Sequence, residues 1–290
     1  MAAIEISGLE KTYTAGFLRK REVRALRPLH LAVEEGEVFG YLGANGAGKT
    51  TTLKLLMGIV FPTGGSARIL GLDYRDPRVR AQIGFLPEQP YFYDHLTAPE
   101  LLEYYAQLSG VPAAERKRRV PRMLERVGIA QAILHDPKVV FLDEPMSGLD
   151  PIGRREVRDL MQSLKDEGKT IFFSTHILAD AESLCDRVAV LHKGELRCVE
   201  KVGELTTAKH DRMEVLWQGD VALTKDLTAL GAESRITGDQ VRAVVPEAKL
   251  GAALDLLRNH RAKLISVTPV RTTLEDYFLE RLADSTEAKP

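Results

Sequence analysis

The eight residues from Gly43 to Thr50, GANGAGKT, constrain this chain more than any others. They fit the pattern GxxxxGK[ST]. The stretch before them, ending VFGYL, reads as a strand. KTTTLKLLMGIV after them has helical spacing at Leu53, Leu56, Met57 and Val60. A strand that enters a glycine-rich turn and leaves as a helix gathers backbone N–H groups around one point. The helix N-terminus adds a field that favours an anion there. Such a loop cradles phosphates. Gly43, Asn45, Gly46, Ala47 and Gly48 supply the cradle. Lys49 is expected to reach the β- and γ-phosphates, Thr50 to ligate Mg²⁺, and Thr51 to help hold the α-phosphate.

The rest of the first two hundred residues alternates strand and helix patterns. AAIEIS reads as a strand, and a turn at Glu34-Glu35-Gly36 separates two more. TAPELLEYYAQLSG opens with a capping box from Thr97 to Glu100 and carries an apolar helix face. VVFLDEP has the composition of a strand buried on both sides. TIFFSTH and RVAVLHKG read as strands around the helix ILADAESLC. This order predicts an α/β fold with a largely parallel sheet. From about Lys209 the patterns read strand, helix, hairpin, helix, strand, helix, which predicts a small α+β domain. Trp217 is assigned to that domain's core, and ADSTEAKP to a polar tail.

VVFLDE places Asp143 and Glu144 at a buried strand's end, downstream of the phosphate loop. A carboxylate there can hold the shell of Mg²⁺, and its neighbour, pointing differently, can polarise an attacking water. Asp143 takes the first role and Glu144 the second.

With these residues in place the chain resembles the ATP-binding subunits of ABC transporters. The matching pieces stand in one order: GANGAGKT, FLPEQ with Gln89, FLDEP, then SGLD (Ser147, Gly148, Leu149, Asp150), then STH with His176. The likeness spans about residues 4–205. It implies a P-loop NTPase cassette that binds ATP and Mg²⁺ and hydrolyses ATP. It also implies a second ATP-binding subunit, the same or different, and an integral-membrane permease as partners. Tyr13 stands where an adenine-stacking aromatic is expected. By the resemblance, Gln89 contacts Mg²⁺ or the attacking water. His176 holds the γ-phosphate and orients Glu144, and SGLD crosses the interface between two subunits. TPVRTTLEDYFLERL is similar to the C-terminal extension of exporter-type subunits whose permease is a separate chain. The expected organisation is a cassette over 1–208, a C-terminal accessory domain over 209–284 and a tail over 285–290.

One part that the resemblance implies is absent. A Ser-Gly-Gly-Gln-like signature loop should precede GIAQAILHDPKVVFLDEP, yet the chain reads ERKRRVPRMLERV there. The helical subdomain, about 90–137, is therefore expected to be shortened, with the join near Val127-Gly128. Either a deletion between two similar RVG stretches removed the segment, or the segment belongs to the protein and is absent from this sequence. In the family that loop binds the γ-phosphate across the dimer. Without it a homodimer is expected to bind ATP and to hydrolyse it ~10²-fold or more too slowly. The alternative function is then a nucleotide-binding regulatory or structural subunit that does not hydrolyse. A soluble member of translation or repair ranks lower, because those pair two cassettes or carry a long insertion.

Composition bounds the rest. A net charge of −1 argues against a nucleic-acid partner held by bulk electrostatics. Two cysteines, Cys185 and Cys198, suggest a reducing compartment. With 44% apolar residues but no run long enough to span a bilayer, the chain is expected in the cytoplasm, peripheral to the membrane through its permease. ERKRRVPR is read as a solvated helix face split or kinked at Pro121, and RKREVR as a hairpin tip. YFYDHL is read either as a permease groove or as ordinary packing.

Overall fold

A computed structural model describes residues 1–15, 21–90, 95–124, 129–206, 212–219, 223–270 and 274. The chain forms two compact units, Met1–Val202 and Gly203–Pro290. The expected boundary at 208/209 falls among residues outside this description.

The first unit holds two sheets. Strands β1 (Ala2–Ala15), β2 (Arg21–Glu34), β4 (Gly64–Ile69) and β5 (Leu72–Asp73) form one, in the order β2-β1-β4-β5 and antiparallel throughout. The expected largely parallel sheet is the other sheet of this unit, and this antiparallel one stands in addition to it. The second half of β2 alternates exposed and buried residues, the mark of a sheet covered on one side. The tip RKREVR lies partly outside the described residues, and Arg21–Arg24 continue β2.

The second sheet carries the chemistry. Its order is β10-β9-β3-β8-β7-β6, from β3 (Val38–Leu42), β6 (Ile83–Leu86), β7 (Val139–Asp143), β8 (Thr170–Thr175), β9 (Arg187–His192) and β10 (Glu195–Lys201). Only β10 runs antiparallel to its neighbour. Every residue of β3, β7 and β8 is buried, as expected of parallel strands covered on both faces. Phe172 of β8 sits at the middle, its ring 5.6 Å from Phe39, 5.2 Å from Tyr41 and 5.8 Å from Phe141. Aromatic contacts of this kind add about 0.5–1.5 kcal/mol each beyond area burial. Helices α1 (Lys49–Leu56), α2 (Pro77–Arg80), α6 (Pro151–Asp166) and α7 (Leu178–Leu184) alternate with these strands in the chain.

Between β6 and β7 lie α3 (Ala98–Leu108), α4 (Ala113–Leu124) and the four-residue α5 (Ala130–Ile133). Leu102, Ala106, Val111, Val120, Ala130 and Leu134 give them a small core of their own. The capping box forms: the Thr97 N–H donates to Glu100 Oε2 at 2.9 Å. Helix α4 runs through Pro121 without the expected split. Its basic face is only partly solvated. Arg116 pairs with Glu103 and Arg119 with Glu115, both at 2.7 Å, while Lys117 and Arg118 are exposed. The join at Val127-Gly128 and most of YFYDHL lie outside the described residues.

The second unit begins with α8 (Val202–Thr206), whose first residue closes the first unit. Its sheet, β12-β13-β11-β14, is antiparallel throughout and built from β11 (Arg212–Gln218), β12 (Glu233–Thr237), β13 (Gln240–Pro246) and β14 (Lys263–Pro269). Helices α9 (Leu223–Ala229) and α10 (Leu250–Asn259) share a core with it around a fully buried Trp217. Of the expected last helix only Leu274, buried, is described; the tail over 285–290 lies outside the description.

Candidate functional site

The phosphate loop leaves β3 at Leu42 and turns into α1 at Lys49. Gly48 has φ +108, and an added Cβ would lie 2.6 Å from the Ala25 carbonyl oxygen, so only glycine fits. The loop is pinned from several sides. Gly43 N–H donates to Thr175 O at 3.3 Å, and Gly194 N–H donates to Ala47 O at 2.8 Å. Beneath it, the buried Tyr41 hydroxyl meets Thr52 Oγ1 at 3.1 Å, and Thr52 donates to Gly48 O. Burial pushes the Tyr41 hydroxyl pKa up, so it stays neutral.

Lys49 Nζ donates to Gly43 O at 2.6 Å and Ala44 O at 3.3 Å. It also lies 3.1 Å from Glu144 Oε1, an ion pair with both side chains buried but without hydrogen-bond geometry at that oxygen. The other oxygen, Oε2, meets His176 Nδ1 at 2.9 Å. Glu144 has φ +49, a left-handed conformation that costs a β-carbon-bearing residue energy and turns its side chain away from the strand direction. Ser174 holds it there. The Glu144 N–H donates to Ser174 O at 3.2 Å and to Ser174 Oγ at 3.1 Å. The same hydroxyl donates to Asp143 Oδ1 at 2.6 Å. One buried serine thus holds the Asp143 carboxylate and the Glu144 backbone.

A cleft of about 610 Å³ opens over this arrangement. Asn45, Gly46, Ala47, Gly48, Lys49, Thr50 and Thr51 line it together with Glu144, Ser147 and His176. The geometry therefore brings together the predicted loop, the predicted base, the histidine and the first residue of SGLD. Gly148 and Leu149 are exposed beside it, and Asp150 caps α6 by accepting from Gly153 N–H at 2.8 Å. Asp143, 1% exposed, lines a neighbouring groove of about 260 Å³ with Glu144, Ser147 and Leu149.

Gln89, Tyr13 and Gly43, like Asp143, are not on the cleft wall. Gln89 is exposed, and its neighbour Glu88 lines the cleft instead. Pro87 and Pro90 bracket this pair just past β6, where the chain bends at Glu88 and Gln89. Tyr13 is 37% exposed and takes Lys11 Nζ over its ring at 5.0 Å, while its cross-strand partner Val23 lines the cleft. Gly43 contributes its carbonyl to Lys49 and is not itself on the wall. Sequence reasoning missed Ser174, Arg24 and Lys193. The serine stood inside the STH motif. Arg24 and Lys193 line the cleft from the first sheet's hairpin and the turn after β9, and nothing local marks them.

A phosphate loop between parallel strand and helix, facing a buried carboxylate pair on a nearby strand, defines a nucleoside triphosphatase of the phosphate-loop class. Comparison with known proteins narrows the class. The ABC transporter family matches residues 26–147. An uncharacterized ABC transporter ATP-binding protein of Synechocystis is 42% identical over 306 residues, covering 97% of this chain and 85% of the relative. The bacitracin transport ATP-binding protein BcrA of Enterococcus faecalis is 37% identical, covering 72% of each chain. Among solved structures, a dimeric ATP-binding cassette in a post-hydrolysis state bound to ADP and Pi is similar. It has 25% identity and a TM-score of 0.63, over 69% of this chain and 98% of that one. So is cbiO1 of Clostridium perfringens, part of the ABC transporter complex cbiONQ, at 26% identity and TM-score 0.60, over 72% and 92%. The chain belongs to the ATP-binding subunits of ABC transporters. It is an ATPase subunit of an ATP-powered transporter. Among the described residues, no helix is long and apolar enough to cross a membrane.

For the Synechocystis relative, 97% of a 290-residue chain is about 281 residues, yet the alignment runs over 306 positions. About two dozen positions of that relative have no counterpart here.

Proposed function

We propose that this chain pairs with a second ATP-binding subunit, that two ATP molecules close the pair, and that hydrolysis reopens it to drive a separate integral-membrane permease. The chain then sits in the cytoplasm on the inner face of the cell membrane, held through that permease. The observation that carries this reading is the Lys49–Glu144–His176 chain at the cleft, with Ser174 behind it.

The residues act as follows. The loop N–H groups and Lys49 take the phosphates. As a phosphate draws the Lys49 ammonium, Glu144 loses that partner and keeps His176. Its carboxylate accepts a proton from a water whose oxygen attacks the γ-phosphorus. The bond to the β–γ bridging oxygen breaks, and ADP departs with that electron pair. His176 holds Glu144 in place and supports the departing phosphate. Thr50 and Asp143 offer a hydroxyl and one carboxylate, the small donor set Mg²⁺ takes when phosphates and waters complete its shell. Bound there, Mg²⁺ supplies charge neutralisation at the phosphates. We assign Gln89 and Tyr13 supporting roles at the water and the adenine, reached only if the loop after β6 and the first hairpin move.

We further propose that the missing positions are the signature loop, and that the second subunit contributes its own. The missing length fits, and α5 is only four residues long where that loop's helix would run. The relatives favour a hydrolysing subunit over a purely regulatory one. Light scattering with and without ATP, beside ATPase turnover, tests the assignment. ATP-dependent dimers with slow turnover alone, accelerated by a signature-bearing partner subunit, are expected. Full turnover of a homodimer whose intact mass matches 32.2 kDa would overturn the missing-loop reading.

A further inference from the structure

We propose that Arg154 and Asp180 are positioning residues that fix two loops against each other at the γ-phosphate end of the cleft. Arg154 stands in the first turn of α6, its N–H donating to Asp150 O at 3.0 Å. Its guanidinium turns back. Nε donates to the Leu149 carbonyl at 3.3 Å, inside the Ser147–Asp150 loop. Nη1 lies 4.0 Å from Asp180 Oδ2 in α7. Asp180 is 5% exposed, and that buried oxygen has no hydrogen-bond donor among the described residues. A buried carboxylate oxygen left in this way is costly and calls for a reason.

The reason lies in what the two partners are attached to. Asp180 follows His176 by four residues, and His176 bonds Glu144. Leu149 follows Ser147 by two, and Ser147 and His176 face the same cleft. One guanidinium rooted in a sixteen-residue helix therefore spans both loops. Arginine suits this because its planar fork serves two acceptors at once, which a lysine ammonium on a flexible stem does poorly. The pair is an ion contact that has not closed to hydrogen-bond length, so it holds the loops without welding them. Removing either partner frees the His176 loop to drift. A drift of about 1 Å from productive geometry can cost ~10²-fold in rate.

The inference rests on the reading of His176 as a γ-phosphate contact. Its test measures dissociation constants of the full chain for ADP and for a non-hydrolysable ATP analogue, with kcat and KM where turnover permits. Arg154→Ala is expected to leave ADP affinity within about twofold and to reduce the preference for the triphosphate about tenfold, lowering kcat with little change in KM. Asp180→Asn should do the same, and the double variant should be no worse than the worse single one. Arg154→Lys should recover part of the loss, and it and Asp180→Asn carry the test if the alanine variant fails to fold. Equal weakening of both nucleotides, no change, or additive effects would overturn the proposal. His176→Ala separates the two readings. Loss of triphosphate preference there, but not in Arg154→Ala, sinks the positioning role alone. No loss in His176→Ala sinks the histidine reading and the proposal with it. Nucleotide binding without turnover leaves the affinity comparison fully decisive.

Discussion

The central sheet of the first unit and the sheet of the second use their strands in opposite ways. In β3, β7 and β8 every side chain is buried, so the strands have no face left for solvent, and function is displaced to their C-terminal ends. Glu144 and His176 stand directly past such ends, and Lys49 opens the helix that follows the loop from β3. In β13, exposed and buried residues alternate at first and one face packs on α9 and α10. No cluster of catalytic type gathers there among the described residues. A doubly covered parallel sheet forces its chemistry into the loops, where backbone N–H groups and strand-end carboxylates converge. A singly covered antiparallel sheet can be stable without doing so.

Truncating the two cores separates the two sheets most sharply. Phe172→Ala should cost about 3–5 kcal/mol in chemical denaturation and also weaken ATP binding, since β8 carries Ser174 and leads to His176. Trp217→Ala should cost the same ~3–5 kcal/mol in the second unit's transition with ATP affinity unchanged. Loss of ATP binding in Trp217→Ala would show that the second sheet supports the site after all. Glu144→Gln should lower turnover about 10²–10⁴-fold. By removing the ion pair with Lys49 it should also tighten ADP binding, read by calorimetry, whereas His176→Ala should not.

Smaller effects sharpen the picture. Ser174→Ala leaves the Glu144 N–H one acceptor short and Asp143 one donor short, so a loss of about 1–3 kcal/mol in stability is expected, with lower kcat. Smallest is Glu37, at the sheet's other end. Burial raises its pKa, partly offset by the Glu34 N–H and by Arg187. A raised carboxyl pKa means the folded state holds the proton more tightly. Its contribution is present below the ordinary value of 4.5 and is lost as pH rises through the folded value. Thermal melts should therefore show Glu37→Gln gaining slightly on the parent as pH rises from 4 to 7.

Much of the site was legible because its parts are local. The phosphate loop needs consecutive backbone N–H groups and a glycine where a Cβ would strike Ala25, and both are properties of one short stretch. The Asp143–Glu144 pair is likewise set by adjacency at a strand end. Ser174 was not legible as a bridge, because it reaches the pair only when β8 lies beside β7. Arg154 and Asp180 are 26 residues apart and meet through packing of α6 on α7. Gln89 shows the reverse case. Its motif position was plain, yet the turn between Pro87 and Pro90 presents Glu88 to the cleft.

The sequence by itself determined the class of fold, the phosphate cradle and the order of the strand-end carboxylates. Each of these is written in neighbouring residues. Only the tertiary structure decided which side chains share the cleft, which oxygen of Glu144 faces Lys49 and which faces His176, and that one serine and one arginine tie separate loops together. Such contacts join residues distant along the chain, and they exist only once the strands have paired and the helices have packed over them.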